Sequence, residues 1–122
     1  MQNKILSIFF FFAVLIPAAT QADDIALLVN TDKVTMVNFG SEKCLPCRMM
    51  TPVINKLKKE YAGKASILYI DIYENRNIAR KYGISTVPTQ IFYDKQGLEV
   101  FRHIGFFDHE NSWAQLEKLG VR

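Results

Sequence analysis

The chain has 122 residues, 49% of them hydrophobic and 22% charged, with a formal net charge of +3. That is enough chain for one domain of ordinary globular composition, which excludes disordered and collagen-like structure. The positive surplus is too small for a nucleic-acid binder, which needs a basic stripe on one face; Lys56-Leu57-Lys58-Lys59 reads instead as a solvated helix face.

Residues 1–22 have the layout of a secretory signal peptide. Lys4 supplies the positive start, Ile5 to Ile16 the apolar run, and Pro17 ends it. Thr20 and Ala22 are small residues placed for a cut after Ala22. The apolar run is 12 residues long, whereas a membrane-spanning helix needs about 20. An uncleaved membrane anchor is the alternative. Cleavage leaves residues 23–122 as a single extracytoplasmic domain, expected in the periplasm, where disulfides persist. A domain of that size builds a core without staples, so its two cysteines are free to serve chemistry.

Along the mature chain, Asp23-Asp24 precede a short helix over Ile25 to Val29, where the helix dipole favours acidic residues. Val34 to Phe39 is nearly continuous in apolar character, as a buried parallel strand is. Met49, Met50, Val53, Ile54 and Leu57 then fall at helical spacing, predicting a helix from Leu45 to about Tyr61 that Pro52 should kink and Gly63 should close. Ser66 to Ile72 is the next strand, and Asn75 to Tyr82 a short helix with Asn75 as its possible cap. Thr89 to Tyr93 and Leu98 to His103 form a hairpin around Asp94-Lys95-Gln96-Gly97. Asp108 to Leu119 is a last helix that places Trp113, Leu116 and Leu119 on one side, with Trp113 assigned to core packing. This α/β order gives a central four-stranded mixed sheet with helices on both faces.

Cys44-Leu45-Pro46-Cys47 sits where a buried strand hands over to a helix. Free backbone N–H groups and the helix dipole there stabilise a thiolate on Cys44. Cys47, one turn further on, is near enough to attack a mixed disulfide formed on Cys44. Pro46 falls in the first turn, where its missing N–H costs little, and Lys43 and Arg48 add positive potential. A zinc site would need more ligands, and His103 and His109 do not converge on the cysteines in this layout. A purely structural disulfide closing so short a loop would stabilise the fold only weakly.

The chain resembles the thioredoxin superfamily across essentially the whole mature sequence. The resemblance rests on Val37-Asn38-Phe39, the Cys44–Cys47 motif, Arg48, Pro52, Lys81-Tyr82-Gly83-Ile84, Val87-Pro88-Thr89 and Gly105, in that order. It implies the thioredoxin fold, a cis peptide before Pro88, and a loop at Val87-Pro88 that binds the partner chain. It further implies that Cys44 is the attacking cysteine and Cys47 the buried resolving one, with the Cys44–Cys47 disulfide in place of any cofactor and no metal. Family thioredoxins carry tryptophan at the positions of Lys43 and Gly40, aspartate at Asn38, lysine at Tyr69 and glycine at Leu45. The redox pair therefore carries over, whereas the usual buried proton relay does not, and Asn38, Lys43, Leu45, Pro46 and Arg48 become the residues expected to tune the pair.

The function implied is thiol–disulfide exchange on exported proteins bearing thiols or disulfides, by a monomer that is an enzyme with no nucleic-acid partner. A dithiol reductant supplied by a membrane thiol carrier is favoured. An oxidant that introduces disulfides is the runner-up, since such oxidants commonly carry a helical insertion for which this chain has no room. A redox-inactive peptide-binding domain is the third reading, and the presence of both cysteines argues against it. Export is expected to remove residues 1–22. Intact mass of the extracytoplasmic protein checks this: a species beginning at Asp23 is the expected result, and one retaining Met1 in the membrane fraction contradicts it.

Overall fold

The structure is a computed structural model that describes residues 25–29 and 32–122. The expected signal peptide, residues 1–22, and the Asp23-Asp24 pair lie outside the described residues. Eight elements follow in the order α1 (Ile25–Val29), β1 (Thr35–Gly40), α2 (Leu45–Glu60), β2 (Ser66–Asp71), α3 (Arg76–Lys81), β3 (Thr89–Tyr93), β4 (Glu99–Ile104) and α4 (His109–Lys118). The strands form one sheet in the order β2-β1-β3-β4. β1 is parallel to β2 and antiparallel to β3, and β3 is antiparallel to β4. The parallel pair requires a crossover, which α2 supplies, while the β3–β4 pair is closed by a tight turn. In that turn Asp94 Oδ1 accepts from the N–H groups of Gln96 and Leu98 at 2.9 and 3.0 Å, and Gly97 takes φ +79°, which a side chain would resist.

The inner position of β1 explains its sequence: all six residues are buried. Alternate side chains face opposite sides of a strand. Val34 and Met36 join Met50, Val53, Ile54 and Leu57 of α2 and Leu116 of α4 in one core layer. Val37 and Phe39 join Ile25 and Val29 of α1 in the other, with Ile78 and Tyr82 packed alongside. Asn38 has the parity of Met36 and so faces α2. The buried residues of α2 recur at helical spacing, its lysines stay exposed, and Pro52 lies exposed within a helix that runs on through it.

Two expectations are corrected. Trp113 is 45% exposed and belongs to neither core layer. The buried positions of α4 are Ser112 and Leu116, four residues apart on one face, and the helical repeat sets Trp113 about 100° round the helix from Ser112, on its exposed flank. Asn75 stands at the N-cap of α3 but makes no capping bond from its side chain; its Nδ2 instead donates to the carbonyl of Asp71 at 3.0 Å.

Candidate active site

β1 delivers the chain to the site through a turn built on Ser41. The Ser41 hydroxyl accepts from the Lys43 N–H at 3.1 Å, and its carbonyl accepts from the Cys44 N–H at 3.2 Å. Cys44 is the N-cap of α2, with the extended backbone of a capping residue. Where a serine or aspartate would offer oxygen, it offers sulfur: Sγ accepts from the Cys47 N–H at 3.2 Å. Leu45 and Pro46 are the first two helical residues, so the donor that Pro46 lacks is one no helix turn would have used.

Cys44 and Cys47 are joined by a disulfide, with their Cα atoms 5.2 Å apart. Their exposures differ: Cys44 is partly exposed, whereas Cys47 is 2% exposed. Cys44 Sγ also lies 3.8 Å from the carbonyl oxygen of Val87. The Val87–Pro88 peptide bond is cis, and Pro88 is buried. The Pro88 carbonyl accepts from the N–H of Gly105 at 2.8 Å, and Gly105 takes φ +102°, open to glycine. So the strand-to-helix turn and the Val87-Pro88 loop meet at one sulfur, and Gly105 holds that loop from behind. Among the described residues no group of three or more His, Cys, Asp or Glu side chains is placed to hold a metal ion.

The family model described as Thioredoxin matches residues 18–117. The chain belongs to the thioredoxin family. It is 40% identical over 85 residues to the thioredoxin of Staphylococcus aureus (strain COL), covering 70% of this chain and 81% of that protein. The fold is similar to that of Fasciola hepatica thioredoxin, with a TM-score of 0.71 at 28% identity over 80% of this chain and 92% of that one. Membership of the family together with the Cys44–Cys47 pair makes this thioredoxin-family protein a thiol–disulfide oxidoreductase.

Two of the residues where it departs from the usual thioredoxin pattern, Asn38 and Tyr69, are paired across the sheet. Tyr69, Asn38, Gln90 and His103 are cross-strand partners in one row across the sheet. Gln90 Nε2 donates to Asn38 Oδ1 at 2.9 Å, and Gln90 Oε1 lies 3.0 Å from His103 Nδ1. His103 stacks on Phe107 with ring centroids 4.2 Å apart. Asn38 is fully buried, and its Nδ2 has no partner. A Cβ on Gly40 would meet the Tyr69 ring at 2.9 Å and Asn38 Nδ2 at 3.4 Å, so the Tyr69 ring occupies the space a side chain at position 40 would need. The Tyr69 phenol is pushed above the ordinary tyrosine range, first by burial and then by the carboxylates of Asp71, Glu42 and Glu74.

The remaining sequence-derived positions lie on the rim. Leu45 is 64% exposed beside Cys44. Lys43 extends over the ring of Tyr73 at 5.4 Å, with Arg76 at 6.0 Å from the same ring. Arg48 is exposed and lines an open pocket of about 260 Å³, shared with Glu42, Cys47, Thr51, Lys58 and Tyr69. Sequence reading missed Gln90, His103, Tyr73 and Glu42. A polar Gln90, buried beside the apolar Ile91 and Phe92, was the one local signal for the row.

Asn38 hydrogen-bonds a side chain, and its oxygen is already engaged. Asn38→Asp should speed release of a mixed disulfide near neutral pH, because a buried carboxylate with a raised pKa is a workable general base. It should also destabilise the fold by about 1–3 kcal/mol, since the new charge is buried without a designed partner. Stopped-flow resolution kinetics and denaturant melts check both effects. A destabilised variant with an unchanged rate at every pH would make Asn38 purely structural.

Proposed function

We propose that this protein is an extracytoplasmic dithiol reductant, freed by loss of residues 1–22, that reduces disulfides in exported proteins and is recharged by a membrane thiol carrier. In this reading Cys44 is the nucleophile. Its thiolate attacks a partner disulfide and displaces one partner sulfur as a thiolate, which takes up a proton. The Cys47 thiolate then attacks the Cys44 sulfur. The Cys44–Cys47 bond forms, the Cys44–partner bond breaks, and its electron pair leaves on the partner sulfur. The partner is reduced and the cysteine pair oxidised; the carrier's dithiol reverses the change.

The observation that carries this reading is the contrast between the two sulfurs. One is partly exposed at a helix N-terminus and receives a backbone N–H; the other is 2% exposed one turn away. The exposed face beside Cys44 supports a protein partner, with Leu45 standing clear of the fold and the Val87 carbonyl near the sulfur. The reducing direction is supported by the short connection between β2 and β3, which holds only the six-residue α3 and leaves no room for the helical insertion common in oxidants. The motif layout of residues 1–22 supports export.

Cys47→Ser, expressed in the native host, is expected to accumulate mixed disulfides through Cys44 with exported proteins, while Cys44→Ser accumulates few. The wild-type pair is expected to be mostly dithiol in cells, read by alkylation mass shift. Adducts confined to cytosolic proteins would refute export, and a fully oxidised pair would mark a disulfide donor.

A further inference from the structure

Resolution of the mixed disulfide requires Cys47 to lose a proton, and the usual buried carboxylate is replaced by Asn38. The oxygen of Asn38 already accepts from Gln90, leaving only its Nδ2 group, which is a donor. The Tyr69 phenol is held above its ordinary range and is protonated at neutral pH. Neither side chain can receive the proton. Cys47, although only 2% exposed, borders an open pocket of about 260 Å³ between α2 and β2. The charged and titratable groups facing this pocket are Glu42 from the turn after β1, Arg48 and Lys58 from α2, and Tyr69 from β2. Glu42 is the single carboxylate among them.

We propose that Glu42 takes the proton from Cys47, through solvent in the pocket the two residues line, when the mixed disulfide is resolved. The proposal rests on the reading of Cys47 as the resolving cysteine. The S–H proton passes to the Glu42 carboxylate, the Cys47 thiolate attacks Cys44 Sγ, and the bond to the partner sulfur breaks. The partner thiolate leaves, and Glu42 returns its proton to solvent. Arg48 and Lys58 line the same pocket and present positive charge to the developing thiolate. The influence of Glu42 on the Tyr69 phenol places its carboxylate within electrostatic reach of the β2 wall of the pocket. The open pocket thereby replaces a buried relay: a surface carboxylate works through solvent on a buried thiol at the pocket's edge.

The test is stopped-flow reaction of the fully reduced protein with dithiobis-nitrobenzoate. The first nitrothiolate reports attack by Cys44, and the second, independent of reagent concentration, reports resolution by Cys47. Glu42→Gln is expected to slow the second phase about a hundredfold, the lower end of what a general base contributes. Glu42→Asp should restore most of the rate, and acetate added to Glu42→Gln should accelerate the second phase in proportion to its concentration. A loss of less than about threefold, too small for a general base, overturns the proposal, as does a larger loss that acetate does not relieve. Failure of the underlying reading looks different: the wild-type protein would then release no second nitrothiolate.

Discussion

The hydrogen bond from the Cys47 N–H to Cys44 Sγ, at 3.2 Å, is the contact on which the site depends. It places a sulfur where a helix otherwise recruits an oxygen, so the first turn of α2 is capped by the atom proposed to carry negative charge during exchange. The bond requires Cys44 in extended backbone and Cys47 one turn into the helix. Those two conditions also bring the Cα atoms to 5.2 Å, within bridging range. Capping and redox pairing are thus one geometric arrangement. The sheet serves it: β1 is buried along its whole length and held on both sides, so the turn at Ser41 starts from a fixed point.

Beneath that turn, the polar row Tyr69–Asn38–Gln90–His103 crosses the sheet. Gln90 Nε2 satisfies the oxygen of Asn38 and Gln90 Oε1 meets His103, while Asn38 Nδ2 is left without a partner. The row leaves no carboxylate under the cysteines. Its Tyr69 end borders the pocket that Cys47 shares with Glu42. Buried apparatus common to the family is thereby exchanged for a neutral interior and a charged rim.

Much of the fold was legible because its signals are local. The continuous apolar run of β1, the helical spacing of α2 and the turn at Asp94 to Gly97 each gave the element within a residue or two of its observed limits. The cysteine pair and its place at the head of α2 were legible for the same reason. The orientation of Trp113 was not: helical spacing names a face but not its width, and α4 buries the Ser112–Leu116 side. Asn75 misled because a capping residue type stood at a helix start while a nearer carbonyl, that of Asp71, took its amide. Gln90 and His103 are distant from Asn38 in sequence, so only strand register brings them together. Glu42 and Cys47 share a pocket only once α2 is laid against β2.

The central claim, that the helix start makes Cys44 the reactive thiolate, is tested most directly by titrating the reduced protein while following ultraviolet thiolate absorbance and the rate of alkylation at Cys44. The account predicts that Cys44 ionises well below the reference value of about 8.5, with Cys47 ionising after it. A Cys44 midpoint at or above about 8.5, or Cys47 ionising first, would contradict it.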